Sequence, residues 1–147
     1  MENLEESLDK ISEINKGLQD YLDKKRLFFP RFFFLSDEEL LNILAETRDP
    51  ELVQPHLKKC FAGMDQLIFT STVEIIGMKG ASINGEREEI AFLERICPRE
   101  FKSNVEEWLM RVEEEMVNAL MSTSFEALDE RRLNKVPYVD WLRKWPS

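Results

Sequence analysis

The chain is poor in the residues on which metal sites, disulfide frameworks and phosphate-binding loops depend. Its 147 residues include only two cysteines, Cys60 and Cys97, and one histidine, His56, which together supply too few ligands for a tetrahedral zinc site. No Gly-x-x-x-x-Gly-Lys-[Ser/Thr] motif is present to surround a nucleotide phosphate. The segment 77–82 has its glycines and lysine in the wrong order and fits a strand end followed by a turn. We therefore expect no metal, no cofactor and no enzymatic activity in this chain.

Long apolar runs and an excess of positive charge are also missing. No stretch approaches the ~18 apolar residues of a transmembrane helix, and the N-terminus is acidic where a signal peptide is basic and then apolar. Lys and Arg number 20 against 29 Asp and Glu, and the resulting formal charge of −9 repels a phosphate backbone or an anionic lipid surface. We expect a cytoplasmic protein that binds neither nucleic acid nor membrane, folded as a single domain over residues 1–147.

Helical periodicity is what the chain has instead. Near the N-terminus, apolar residues recur every three or four positions with Asp, Glu and Lys between them, which predicts a helix from about Asn3 to Arg26. A second run of the same kind predicts a long helix over 105–120. The first stripe consists of Leu4, Leu8, Ile11, Ile14, Leu18, Tyr21 and Leu22, and the second of Val105, Trp108, Leu109, Val112, Met116 and Leu120. We expect both stripes to be buried within the domain.

Shorter helices are indicated by their start signals. Two Ser-x-x-Glu sequences, Ser36 to Glu39 and Ser103 to Glu106, have the spacing of a capping box, in which each side chain binds the backbone amide of the other residue. The second box precedes the long helix. The short helices are expected within 37–62 and 137–146.

Residues 64–92 have strand character. β-branched and aromatic residues are concentrated at 67–70, 73–78 and 90–92, and Asn84-Gly85 is a strong signal for a hairpin turn. Three short antiparallel strands cannot stand alone in water and must lay an apolar face on the helices. The predicted fold is mainly α, a small helical bundle with a short antiparallel three-stranded β-meander packed on it.

Two groups of polar residues are candidates for chemistry. His56 and Cys60 lie one helical turn apart and could form half of a metal site, but no further ligand or nucleophile accompanies them. A local hydrogen bond for His56 and a buried position for Cys60 are the alternatives. The acidic runs 86–89 and 113–115 could be carboxylate pairs, but consecutive acids do not converge on a cleft, and a solvated face fits them better.

The aromatic run between Leu27 and Leu35 fits neither a regular helix nor a solvated loop. Pro30 denies the backbone a continuous helix, and the run offers more apolar surface than a thin domain can bury internally. We interpret it as a structural joint that locks the first helix onto the following ones, with some aromatic residues packed against a neighbouring domain. The candidate joint and interdomain packing residues are Phe28, Phe29, Pro30, Phe32, Phe33, Phe34 and Trp108.

The same region resembles a known family. The sequence Phe-Phe-Pro-Arg-Phe-Phe-Phe-Leu-Ser-Asp-Glu-Glu-Leu-Leu at 28–41 is similar to a segment of the dynein heavy-chain linker. The similarity continues through 47–50, 53–61 and 105–109, in a form closer to axonemal than to cytoplasmic heavy chains. The stretch 87–89 departs from the family pattern after the predicted turn. The resemblance implies that residues 1–147 are a fragment of a dynein heavy-chain linker.

In that family the linker is a mostly helical arm over a ring of ATPase modules. The resemblance implies a mechanical lever that transmits ATP-driven conformational change from the ring to the tail of a microtubule motor. The implied partners are the neighbouring linker subdomains and the ring, with microtubules contacted only through the parent motor. ATP and magnesium would be bound outside this chain, and the implied location is the cytoskeleton of a ciliary or flagellar axoneme.

The residues alone also allow a second interpretation besides the dynein linker. A stand-alone helical interaction module would offer the aromatic run, or the helix at Val105, to a partner helix. Whether the gene continues past Ser147 into a P-loop ATPase module separates the two interpretations.

Overall fold

The computed structural model describes residues 2–45, 49–80, 87–102, 104–134 and 137–145. Within these ranges the predicted class is confirmed, since helices dominate and three strands form one antiparallel sheet. The helices are α1 (Glu2–Phe28), α2 (Asp37–Ala45), α3 (Gln54–Cys60), α4 (Val105–Asn134) and α5 (Tyr138–Lys144). The strands are β1 (Met64–Phe69), β2 (Ile75–Gly80) and β3 (Glu89–Ile96), and short 3₁₀ helices cover Pro30–Phe34, Pro50–Val53 and Pro98–Phe101.

Helix starts follow the capping signals. At α2 the amide of Glu39 donates to Ser36 Oγ at 3.3 Å, and the amide of Ser36 donates to Glu39 Oε2 at 3.1 Å, as the capping box predicts. Asp49 Oδ1 accepts from the amide of Glu51 at 3.1 Å and so begins the 3₁₀ turn before α3. The predicted capping residue of α4, Ser103, lies outside the described residues.

The bounds of α1 agree with the prediction, but its burial does not. Residues 3–21 are exposed at every position, and of the predicted stripe only Leu22, 1% exposed, enters the core. The prediction that the whole stripe is buried in the domain is therefore wrong. The reason is that, among the residues that the structure describes, α1 packs on other elements through its last two turns. The exposed members of the stripe are Leu4, Leu8, Ile11, Ile14, Leu18 and Tyr21.

The sheet has the order β1-β2-β3 with both pairs antiparallel. Gly77 in the central strand allows close approach of β3, because a Cβ there would lie 2.6 Å from the carbonyl oxygen of Ile90. Val73 adopts φ 63° in the β1–β2 turn, so β2 begins at Ile75 and not at Val73 as predicted. The predicted turn residues Asn84-Gly85 lie outside the described residues.

One core joins the sheet to the helices. β1 packs on α3 and β3 packs on the N-terminal half of α4, while the connector after α1 packs against α3. The largest buried side chains include Phe29, Phe32, Phe61, Leu40, Leu57, Ile75 and Leu109. No described helix is both long and apolar enough to cross a membrane.

α4 continues well past its predicted end, to Asn134, and α5 folds back on its second half. Trp141 Nε1 donates to the carbonyl of Ala127 at 2.7 Å, and Trp145 Nε1 donates to Glu130 Oε2 at 2.6 Å. These two indole contacts hold the predicted last helix in place and explain why α4 stays helical at its far end.

Candidate functional site at the base of the first helix

The aromatic run is a tight connector at the base of α1. The helix ends at Phe28 because Pro30 has no amide to donate and because Phe29, the residue before it, takes an extended conformation with φ −124° and ψ 93°. The amides of Phe32 and Leu35 then donate to the carbonyls of Phe29 and Phe32 at 3.0 and 3.1 Å. The connector is therefore held by its own backbone and is neither a loop nor a continuation of α1.

Two phenylalanines anchor this connector in the core. Phe29 and Phe32 are fully buried, and their rings meet edge to face with centroids 4.9 Å apart and an angle of 82° between planes. Phe29 also lies 6.2 Å from the ring of Phe61, which follows α3. A spacing of three residues is one turn of a 3₁₀ helix, so these two rings share a side.

The other predicted joint residues are placed differently. The side chains of Phe28, Phe33 and Phe34 are 50%, 61% and 67% exposed and do not lock α1 onto the body within this chain. Their role in packing against a neighbouring domain stays a prediction, as does that of the exposed Pro30. Trp108 is buried on the core side of α4, so it packs within the domain and not against a neighbour.

Arg31 lies between the two anchoring phenylalanines and connects three elements. Its Nε donates to Glu113 Oε1 in α4 at 2.8 Å, and Nη1 donates to the carbonyl of Cys60, the last residue of α3, at 3.0 Å. Its guanidinium carbon also lies 4.7 Å from the centroid of the Phe61 ring. A planar guanidinium with five donors can serve all of these groups at once. One side chain thus ties the connector to both α3 and α4.

Two further cations in the last turn of α1 complete the base. Arg26 is buried and donates to the carbonyl of Leu35 at 3.2 Å and to Asp37 Oδ1 at 2.6 Å. Lys25 forms an ion pair with Glu106 in the first turn of α4, and the carboxylate side chain is only 8% exposed. The direction of α1 is therefore determined by ion pairs to two different helices as well as by apolar contact.

Sequence reasoning did not assign these cations to the joint. A signal for them exists, because cations within or beside an apolar run must find partners if they are buried. Their partners, however, lie far away in the sequence: Arg31 and Glu113 are separated by 82 residues. No local pattern links such a pair.

The acidic run 113–115 is not the uniformly solvated face that the sequence predicts. Glu115 is buried; its Oε2 accepts from the amide of Glu94 in β3 at 3.1 Å, and its Oε1 lies 3.4 Å from Arg111 Nη2. The prediction is wrong for Glu115 because this residue, three positions after the buried Val112, lies on the core side of α4. The carboxylate thereby fastens the edge strand β3 to α4.

Burial and hydrogen bonds shift the pKa values of two titratable groups near the base, Cys60 and Glu39. Burial raises the pKa of the Cys60 thiol to about 11, and hydrogen bonds from Lys59 and from the amide of Ser36 lower the pKa of Glu39 to about 2. His56 is half-buried one turn before Cys60. Among the residues that the structure describes, no group of three His, Cys, Asp or Glu side chains is placed to hold a metal ion. The contacts described at the base attach the end of α1 to α2, α3 and α4.

Comparison with known proteins gives a consistent set of matches. Residues 1–127, from α1 into the second half of α4, match the family described as Dynein heavy chain, N-terminal region 2. Dynein axonemal heavy chain 3 of Homo sapiens is 48% identical over 146 residues, which cover 99% of this chain and 3% of the human protein. Dynein axonemal heavy chain 12 of Mus musculus is 44% identical over 147 residues, which cover 100% of this chain and 5% of the mouse protein. Dynein axonemal heavy chain 1 of Homo sapiens is 42% identical over 134 residues, 91% of this chain and 3% of that protein. The chain spans only 3% to 5% of the length of these curated relatives.

Proposed function

Because this chain belongs to the dynein heavy chain family, in its N-terminal region 2, we propose that it is a segment of the linker of a dynein motor and transmits ATP-driven movement from the ATPase ring to the tail. The family that the sequence motifs indicated is confirmed by the matches. In this proposal the chain is one region of a much longer polypeptide that works in a ciliary or flagellar axoneme.

The observation that supports a lever is the way α1 is anchored. Residues 3–21 are exposed, and among the described residues the ion pairs and buried contacts that fix the direction of α1 lie at its base. The base combines the buried rings of Phe29 and Phe32 with the ion pairs of Arg26 and Arg31. An arm held only at one end transmits force only if that end is stiff, and a packed aromatic pair crossed by directional ion pairs gives such stiffness.

We assign no catalytic step to this region. In the proposal, ATP and magnesium are bound by other parts of the heavy chain, and microtubules are reached only through the complete motor. The partners of this region are the neighbouring linker subdomains and the ATPase ring. The sequence supports this division because it contains no phosphate-binding loop.

The test is to weaken the base of α1 in a complete dynein heavy chain. Arg31→Gln removes the links to Glu113 and to the carbonyl of Cys60, and Arg95→Gln is the matched control because Arg95 is exposed and pairs with Glu74 only at 3.6 Å. We expect Arg31→Gln to keep most of the ATP turnover but to lower the gliding velocity per ATP hydrolysed, while Arg95→Gln changes neither. If a folded Arg31→Gln motor glides as far per ATP as the wild type, the lever role of this base is wrong.

The exposed apolar side chains favour a second candidate, a helical interaction module. Besides the α1 stripe, α4 exposes Val117, Met121, Phe125 and Leu128 on one side of the helix, and monomeric domains seldom leave such stripes uncovered. The Arg31→Gln experiment distinguishes the lever from the interaction module. If the region only binds a partner, the substitution should leave the gliding velocity per ATP hydrolysed unchanged.

A further inference from the structure

Helix α4 carries a second apolar stripe on the side away from the core. The side that faces the core includes Val112 and Ala119, which are buried, and with about 3.6 residues per turn the second stripe lies half a turn from them. Its apolar members are between 38% and 61% exposed. We call the following set the α4 outer stripe: Met110, Glu114, Val117, Met121, Phe125, Leu128 and Arg132.

The spacing of the α4 outer stripe is the same from either end. Its members are separated in turn by four, three, four, four, three and four residues, with Met121 in the centre. Two such helices in antiparallel orientation can therefore place each member of one stripe opposite a member of the other. Val117 of one helix then faces Phe125 of the other, and Met121 faces its own copy.

We propose that the α4 outer stripe is the docking site of a second copy of this chain, with the two α4 helices antiparallel about a two-fold axis at Met121. In such a contact the same patch serves both copies. The proposal does not depend on the lever role, because it needs only the surface of α4. Besides the spacing, the charges at the two ends of the stripe and a depression in its surface support it.

The two ends of the stripe carry opposite charges. Glu114 lies near the N-terminal end and Arg132 at the C-terminal end, where Arg132 is exposed and has no ion-pair partner among the described residues. The antiparallel register places Glu114 of one copy within about one helical turn, ~6 Å along the axis, of Arg132 of the other. The long Arg side chain can span this distance. A parallel pair would instead place acid beside acid, so the charges favour an antiparallel copy.

The net charge of the chain acts against self-association. The formal charge of −9 repels a second copy at long range, but this repulsion is screened over a Debye length of ~8 Å at physiological ionic strength. Glu114 Oε2 already accepts from Arg111 Nη1 at 2.9 Å, and the carboxylate has a second oxygen for Arg132. Because α4 is a formed helix, docking does not cost the entropy of ordering it. We therefore expect a reversible dimer and not a permanent one.

A shallow depression on the stripe agrees with the same register. Its lining residues are Met110, Glu113, Glu114, Val117 and Asn118. The first four have the spacing i, i+3, i+4 and i+7 of the hole into which a side chain of a facing helix inserts. With the axis at Met121, the residue of the second copy that lies over this hole is its half-exposed leucine at position 128. The surface therefore has a hole where the spacing predicts an apolar side chain of the second copy.

The first test is sedimentation equilibrium of this chain and of two charge-reversed variants. We expect a reversible dimer, and we expect Glu114→Arg and Arg132→Glu each to weaken it about tenfold or more, since each places like charges at both ends of the pair. An equimolar mixture of the two variants should dimerise about as well as the unchanged chain, because each end of the mixed pair joins opposite charges. A chain that stays monomeric at ~100 μM, or a mixture that associates no better than each variant alone, overturns the proposal.

The second test is thiol crosslinking with a short bismaleimide after Cys97→Ser has removed the partly buried native thiol. Met121→Cys lies on the proposed axis and should crosslink to its own copy. Ser122→Cys, the next residue and more than a quarter of a turn away, is the control and should not. Val117→Cys and Phe125→Cys should crosslink efficiently only when the two variants are mixed. Equal crosslinking at 121 and 122 overturns the proposal.

The third test determines what covers the stripe in a complete dynein heavy chain. We expect p-benzoylphenylalanine in place of Met121 to crosslink to the α4 region of a second heavy chain. A crosslink within one heavy chain, a crosslink to another kind of polypeptide, or no crosslink overturns the proposal. None of these results bears on the gliding assay of Arg31→Gln, so the two proposals fail independently.

Discussion

Truncation of Phe32 tests whether the connector after α1 is held by only part of its aromatic run. Phe32→Ala removes a fully buried ring that meets Phe29 edge to face at 4.9 Å. Loss of a core phenylalanine lowers the free energy of unfolding by ~3 to 5 kcal/mol, which includes the cavity left behind. The next residue is a matched control, because Phe33→Ala removes a mostly exposed ring and should change the free energy of unfolding by less than ~0.5 kcal/mol.

Urea denaturation of the two variants, followed by tryptophan fluorescence, measures this difference. With an m value of ~2 kcal/mol per molar urea for a domain of this size, Phe32→Ala should lower the midpoint by ~1.5 to 2.5 M. Phe33→Ala should lower it by less than ~0.3 M. Equal m values in all three proteins would show that the midpoints report stability.

The reasoning is refuted if the two variants shift the midpoint equally, because burial would then not distinguish neighbouring phenylalanines of the connector. The pair Phe29 and Phe32 gives a further check. Their rings are in contact, so the double alanine variant should cost less than the sum of the single variants if each cavity lets the other ring relax.

Three further changes test the electrostatics of the fold. Lys25→Met leaves the buried carboxylate of Glu106 without its cation and should lower the free energy of unfolding by ~3 kcal/mol. Lys24→Met, at the exposed neighbour, is the control and should lower it by less than ~0.5 kcal/mol, both measured by thermal denaturation. Burial raises the pKa of Cys60 from 9.0 to about 11, so the unfolded chain loses this proton first and stability falls as pH rises through that range; urea midpoints should fall less steeply in Cys60→Ala. Hydrogen bonds lower the pKa of Glu39 from 4.5 to about 2, so its stabilising effect is present above pH 4.5 and is lost towards pH 2, and Glu39→Gln should show a smaller loss of midpoint in acid.

Elements with a local signal were predictable from the sequence. The capping box at Ser36 and the concentration of β-branched residues after Met64 predicted α2 and the meander, and both are present. The second half of α4 was missed because its helical state is supported by contacts with Trp141 and Trp145, which follow it in the chain. Such contacts have no signature in the periodicity of α4 itself.

Burial at the candidate site was less predictable, because it depends on what lies opposite each side chain. Periodicity identified the apolar side of α1 but did not show that the body covers only Leu22. The five phenylalanines of the aromatic run are chemically identical, and only the geometry of the 3₁₀ turn selects Phe29 and Phe32 for the core. The link from Arg31 to Glu113 joins distant parts of the chain and is a product of the whole fold.

Because the described part of α1 is attached only near Leu22 and beyond, a small tilt at its base becomes a large displacement of its far end. From Leu22 to Asn3 the helix rises ~28 Å, so a tilt of ~10° at the base displaces its tip by ~5 Å, about one helical turn. The same tilt needs a shift of only ~1 Å in a side chain ~5 Å from the pivot, which is within the range of repacking between two discrete arrangements of a core. A rearrangement of a few atoms around Arg26 and Phe29 would therefore move the far end of α1 sideways by about five times as much as the side chains at its base.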